Sequence, residues 1–186
     1  LDDQLLIQQA QKGNLTAYGE LIQKYSPVVE RFAYQMGNSM DDIPDISQEV
    51  FIRVYRFLHQ FSHSRFTTWL YKITLNVSRD YGRQRNQLKS KLQKLQNEPI
   101  PQVSTLTDEQ IFREEEDRIL HHCIHNLDEK YQLPIILHYF HEKKYEEIAE
   151  ILSLNLSTVK TRLLRGKAIL KQALIKAEGE EGTING

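Results

Sequence analysis

Thr158, Thr161, Arg162 and Arg165 recur at i, i+3, i+4 and i+7 in the stretch LSTVKTRLLRGK, with Lys160, Lys167 and Lys171 at the flanks. On a helix that spacing gathers the first four on one face. An arginine guanidinium can grip a guanine edge with two parallel hydrogen bonds, and lysines suit phosphates. Threonines are short enough to let a helix enter a major groove. Six positive charges fall between Lys160 and Lys176, although the formal net charge of the chain is −1. A local basic face in a nearly neutral chain implies recognition of nucleic acid at one place rather than coating of it. The competing reading is a plain amphipathic helix with a charged outer side.

The residues before this face weigh against that competitor. Tyr145, Ile148, Ala149 and Leu152 fall at i, i+3, i+4 and i+7 and make one apolar stripe, with Ala149 small where a crossing helix must come close. Ser153 to Leu156 read as a turn, in which Asn155 can take the left-handed conformation. Ser157 is a good N-cap for the helix that follows. Val159, Leu163, Gly166 and Leu170 form the inner side of that helix. Stripe, turn, cap and polar face together predict a helix-turn-helix whose second helix reads duplex DNA.

A second basic face lies earlier. Phe66, Trp69, Leu70, Ile73 and Val77 are spaced to be buried on one helix, and Lys72, Asn76, Arg79 and Arg83 occupy the other side, with Asp80 beside them to orient an arginine. Tyr71 and Tyr81 flank the stripe. Cations interleaved with aromatic rings suit single-stranded DNA, since the cations track the backbone while rings receive unstacked bases. The alternative is that Trp69 and the tyrosines are ordinary core. In DISQEVFIRVYRFLHQF, Asp45, Gln48 and Glu49 share one turn. With no histidine, Gly-rich loop or nucleophile nearby in sequence, these acids read as a helix start and docking surface rather than as acid–base catalysts. The cluster HHCIH, with His121, His122, Cys123 and His125, is the one place to weigh a metal. Helix packing explains Cys123 better, and no second ligand cluster follows. No catalytic, cofactor or metal site is expected.

The elements that must hold these faces are all helical. Among 186 residues, Gly (8) and Pro (5) are sparse, and the apolar positions repeat with helical rather than alternating period. No run of about 18 apolar residues predicts a membrane span. A single cysteine leaves no internal disulfide and suits a reducing compartment. The opening residues carry no secretory leader pattern, and the chain starts at Leu1 without Met. Helices are expected over Asp2 to Lys12, from Asn14 as cap to about Met36, over Asp45 to Gln60, and from Thr67 to the QRNQ stretch. The segment NEPIPQVSTLTDEQ has two prolines and no apolar stripe. It reads as the body of a flexible acidic linker over 89–110, between a first domain at 1–88 and a second at 111–177. Further helices are expected over Ile111 to Asn126, Lys130 to Glu142, Tyr145 to Leu152 and Thr158 to Ala177. Pro134 is tolerable only near a first turn, which would start the second of these at Tyr131 or later. The tail at 178–186 reads as disordered.

DISQEVFIRVYRF, RFTTWLYKITLNVSRDYGRQR and YEEIAEILSLNLSTVKTRLLRGK, in this order and spacing, resemble the extracytoplasmic-function (ECF) group of bacterial sigma factors. The likeness covers nearly the whole chain. It implies an all-α protein of two small helical domains on a flexible linker, a helical bundle and a helix-turn-helix domain, which binds core RNA polymerase and directs it to promoters. It implies that Asp45, Gln48, Glu49 and Arg53 dock on the clamp helices of the polymerase, and that the second domain meets its flap. It implies that the loop from Phe61 to Phe66, with Ser62, His63, Ser64 and Arg65, captures the unwound −10 strand together with Lys72, Asn76, Arg79, Asp80 and Arg83. Ser157, Thr158, Lys160, Thr161, Arg162, Arg165 and Lys167 would read the −35 element as duplex. An anti-sigma factor is the implied inhibitor, and the bacterial cytoplasm the implied location, with such an inhibitor able to hold the chain at the membrane. Two departures stand out. Leu127-Asp128 replaces the frequent Leu-Pro, and Gly166 stands where the family often has Ala, which weakens a helix slightly.

The spans are compatible. The two promoter elements lie on the order of 60 Å apart, taking roughly 17 base pairs at about 3.4 Å each. A linker of about 22 residues reaches at most ~70–80 Å. Its acids would be repelled by DNA, and a basic channel of the polymerase is their expected path. The rival reading from a different class is a plain helix-turn-helix regulator whose first domain senses a ligand. It leaves the face from Asn76 to Arg83 unexplained.

Overall fold

The computed structural model describes the backbone of residues 3–62, 65–96 and 115–181. The chain divides into two compact units, Leu1–Pro101 and Gln102–Gly186. Among the described residues every regular element is helical, as the spacing of apolar residues predicts.

In the first unit, α1 (Asp3–Gln11), α2 (Leu15–Gln35), α3 (Ile43–Phe57) and α4 (Phe66–Gln96) pack around one core. Asn14 caps α2 as expected, its side-chain oxygen accepting the Ala17 N–H at 3.1 Å. Gly37, at φ +93°, lets the chain leave α2 through a left-handed residue. A short 3₁₀ turn, Met40–Asp42, leads into α3, which begins earlier than expected because Pro44 fits its first turn. Leu21, Val29, Ile46, Val50, Leu70 and Val77 are fully buried, each worth about 1.5–3 kcal/mol relative to exposure. Tyr18 donates from its hydroxyl to the Phe51 carbonyl and fastens α2 to α3.

α4 differs from its expected form in two ways. It continues to Gln96, so residues 89–96, expected as the start of the linker, are helical. Leu, Gln and Lys are good helix formers, and they extend the helix although Leu88 and Leu92 stay exposed on it. α4 is also packed on two sides. Tyr71 is 5 % exposed and lies edge-on to Phe32 of α2 at 5.1 Å, while Tyr81 sits on the α3 side. The remainder of the expected linker, 97–110, lies outside the described residues.

In the second unit, α5 (Glu115–His125), α6 (Glu129–Ile135), α7 (Tyr145–Leu152) and α8 (Leu156–Glu181) bury Ile124, Leu133, Ile135, Ile148, Ile151, Val159 and Leu163. α6 begins at Glu129, not at Tyr131 or later. Asp128 caps it, accepting the Lys130 N–H at 3.0 Å, and Pro134 lies inside it. The turn that follows, Ile136–Phe140, is π-helical. α8 reaches Glu181, so the first residues of the expected tail are helical, and 182–186 lie outside the described residues.

Candidate nucleic-acid interface

The turn between α7 and α8 is built differently from its expected form. Ser153, not Asn155, takes the left-handed conformation (φ 54°, ψ 47°). Asn155 is thereby free to cap α8. Its Oδ1 accepts the Thr158 N–H at 2.8 Å and the Ser157 hydroxyl at 2.8 Å. Ser157 therefore supports the cap rather than forming it. Two cap-type residues stand two positions apart, and the amide oxygen of Asn155 reaches the free N–H groups of the first turn. On the inner side Ile151 is 2 % exposed and replaces Leu152 as the second fully buried residue of α7.

α8 presents the expected outer face. Thr161, Arg165, Lys160, Lys167 and Ser157 are exposed, and Thr158 and Arg162 are half-buried. The Thr161 hydroxyl donates to the Ser157 carbonyl at 3.0 Å, which fixes its rotamer. Ser157, Thr158, Thr161, Arg162 and Arg165 line one open cleft of about 380 Å³. Lys130 and Tyr131 at the start of α6 complete the wall of that cleft, and sequence reasoning assigned neither. The buried inner face of α8 holds Gly166. A Cβ placed there would lie 2.9 Å from Ile135 Cδ1 and 3.1 Å from Tyr131 Cβ.

In the first unit the outer side of α4 shows Asn76 and Arg83 exposed and Lys72, Arg79 and Asp80 half-buried. Asp80 sits between two cations, 3.5 Å from Arg53 Nη1 and 3.7 Å from Arg83 Nη1. Arg53 in turn donates from Nε to Glu49 at 2.7 Å. The Glu49 hydrogen bond, with help from the carboxylates of Glu49 and Asp80, raises the Arg53 pKa further above its ordinary value. Glu49, Arg53, Asp80, Tyr81, Arg83 and Gln84 line one groove of about 370 Å³. Asp45 and Gln48 are exposed on α3. Burial, and then the carboxylates of Asp45, Glu49 and Asp42, push the Tyr81 phenol up. Tyr71 is therefore not the expected stacking platform, while Tyr81 is half-buried in the groove. Tyr71 is core, and Tyr81 stands among the docking carboxylates.

Ser62 and Arg65 are exposed at the edges of the connecting loop, and His63 and Ser64 lie outside the described residues. The base of the loop is pinned by a residue that sequence reading missed. Gln11 donates its side-chain amide to the carbonyls of Leu58 (2.9 Å) and Phe61 (2.8 Å). Phe61 stacks beside Trp69 at 5.1 Å, and Trp69 is half-buried against the core, as its spacing suggests. In HHCIH, Cys123 is buried and burial raises its thiol pKa, while His122 hydrogen-bonds the Asn126 amide at 2.9 Å. Among the described residues no three metal-binding side chains gather at one point, and no helix is long and apolar enough to cross a membrane.

Comparison with known proteins gives both units a counterpart. Residues 21–87 match the family model for sigma-70 region 2, and residues 117–170 match that for sigma-70 region 4. The chain is 32% identical over 183 residues to the ECF RNA polymerase sigma-E factor of Haemophilus influenzae, covering 94% of this chain and 96% of that one. It is 30% identical over 176 residues to the ECF RNA polymerase sigma factor SigW of Bacillus subtilis, covering 90% and 94%. Among solved structures it resembles CnrH in complex with the cytosolic domain of CnrY, with a TM-score of 0.70 and 25% identity over 94% of this chain and 97% of that one. The sigma factor RpoE of Bartonella quintana, solved with the anti-sigma factor NepR, shares the fold at a TM-score of 0.67 and 20% identity, over 84% of this chain and 96% of that one.

Proposed function

The chain belongs to the ECF sigma factors of RNA polymerase, and we propose that it divides promoter recognition between two helix faces, one in each unit. As a sigma factor it directs promoter-specific initiation and supplies no bond-making group of its own. In the proposed division, the α8 face of Thr158, Thr161, Arg162 and Arg165 reads the −35 element as duplex, with Ser157, Lys160 and Lys167 on the flanking phosphates. The α4 face of Lys72, Asn76, Arg79 and Arg83, with the loop at Ser62 to Arg65, holds the unwound −10 strand. Asp45, Gln48 and Glu49 dock on the polymerase. Arg53 orders that surface through its two carboxylate partners.

The observation that carries this reading is the open cleft of α8, where two arginines and two threonines stand over a helix-turn-helix with an intact cap. Flipping a base costs a few kcal/mol. Two modest DNA grips on one polymerase combine through effective concentration, so neither unit alone holds a promoter well. CnrH and the Bartonella sigma factor are each bound to a partner in their structures. By analogy we propose that an anti-sigma factor restrains this chain, which then acts in the bacterial cytoplasm, free or tethered at the membrane through that inhibitor.

The experiment is purified transcription with core RNA polymerase. Arg165→Ala lowers promoter binding by about tenfold or more, since a bidentate arginine contact is worth ~1–3 kcal/mol. Asn76→Ala leaves closed-complex binding nearly intact and slows opening. Two variants that both transcribe like the wild type contradict the residue assignments.

A further inference from the structure

We propose that Lys130 and Tyr131 form a second DNA-contacting wall outside the helix-turn-helix, with the Lys130 ammonium taking a backbone phosphate of the duplex that α8 reads. The inference rests on the duplex reading of α8 and adds an element to it.

Three observations converge on this wall. First, Lys130 and Tyr131 line the same open cleft as Thr158, Thr161, Arg162 and Arg165. A duplex seated on those four side chains meets α6 next. Second, the ammonium is held in place before any ligand arrives. It lies 5.0 Å from the centroid of the Tyr131 ring and 3.2 Å from Asp128 Oδ2, with the side chain 49% exposed. Ring and carboxylate restrict the flexible lysine stem, so less conformational entropy is lost when a phosphate binds. Third, the wall is close because Gly166 lets it be. A side chain there would meet Tyr131 Cβ at 3.1 Å and the fully buried Ile135 at 2.9 Å. A methyl there requires Ile135 Cδ1 to turn away and Tyr131 Cβ to give by a few tenths of an ångström.

The chemistry of the cleft fits a polyanion. Lys130, Arg162 and Arg165 supply three cations around an open trough, and Asp128 is the carboxylate beside them. A duplex backbone presents one phosphate per ~3.4 Å of axis on each strand, so a second wall meets phosphate whatever the base sequence. Lys130 therefore adds affinity and register rather than sequence preference.

The test uses the full chain assembled with core RNA polymerase on duplexes taken from the start sites it selects, with the closed-complex binding constant measured across a salt series. Each phosphate contact contributes about 0.9 to the slope of log K against log salt. Lys130→Ala is expected to reduce that slope by about 0.9 and to weaken binding equally across duplex sequences, with an unchanged thermal melt. An unchanged slope in Lys130→Ala, while Arg165→Ala weakens binding, overturns this proposal and leaves the duplex reading of α8 standing. Failure of the wild-type chain to bind duplex, or of Arg165→Ala to weaken it, overturns both.

Discussion

Arg53 on α3 and Asp80 on α4 lie 3.5 Å apart and join the two faces of the first unit into one line of charges, Glu49, Arg53, Asp80 and Arg83. The first two stand on the helix proposed to dock on polymerase, and the last two on the helix proposed to hold the unwound strand. The pair is about a third exposed, at 33% and 42%, so it is worth only ~0.2–1 kcal/mol. Its effect is to fix rotamers rather than to hold the fold. With one guanidinium shared between Glu49 and Asp80, removing either carboxylate lets Arg53 swing toward the other.

A double-mutant cycle with Arg53→Gln and Asp80→Asn is expected to give a coupling of about 0.5 kcal/mol that fades at high salt. Trp69 is the single tryptophan and lies in the first unit, so its fluorescence during urea unfolding follows that unit alone. A coupling that survives high salt contradicts the solvent-screened pair described above.

Gly166→Ala raises helix propensity by about 1 kcal/mol, yet places a methyl against Tyr131 and Ile135. Overpacking of this kind costs ~1–3 kcal/mol, because the buried Ile135 must turn its Cδ1 away and Tyr131 Cβ must give by a few tenths of an ångström. The expected net loss is about 1 kcal/mol in the second unit. It appears in the far-ultraviolet circular dichroism melt, while the Trp69 transition stays unchanged.

Asn155→Ala removes the cap of α8 and is expected to cost about 1 kcal/mol, with weaker duplex binding as the first turn of the reading helix frays. Ser157→Ala removes only the hydroxyl that supports the cap and is expected to fall within about 0.5 kcal/mol of wild type. Equal losses from the two would return the cap to Ser157.

Burial pushes the Tyr18 phenol well above its ordinary value, and burial with the Asp3 carboxylate does the same to Tyr25. A raised folded pKa means that the protonated phenol favours the fold. This stabilisation is complete below the unfolded value of about 10 and is lost as pH rises through the folded one. Phenolate absorbance is therefore expected to rise in two stages, with Tyr18 and Tyr25 ionising only as the first unit unfolds. Tyr25→Phe should remove one phenol from the late stage. A single early transition for all nine tyrosines contradicts the burial.

The outer face of α8 was legible because helical spacing alone groups Thr158, Thr161, Arg162 and Arg165. Asn14 as a cap was legible for the same local reason. What was not legible depends on contacts distant in sequence. Tyr71 and Tyr81 look like flanking aromatics until α4 is seen packed between α2 and α3. The stretch from Lys89 to Gln96 was counted with the linker although its Pro- and Gly-free sequence has strong helix propensity, and propensity prevails there. Pro134 seemed to forbid a helix from Glu129, yet the Asp128 cap starts the helix there with the proline inside it. Gln11, which pins the loop at Phe61, carries no local signal at all. Lys130 joins the cleft only through the close approach that Gly166 permits.

The central claim is that this chain gives a polymerase its choice of start site through two separated grips. Run-off transcription with purified core RNA polymerase and the full chain on fragmented genomic DNA, followed by sequencing of transcript 5′ ends, tests it most directly. The account predicts discrete start sites preceded by two shared sequence blocks on the order of 60 Å apart along the duplex, the upstream block losing its influence in Arg165→Ala. Start sites no different from those of core polymerase alone contradict it.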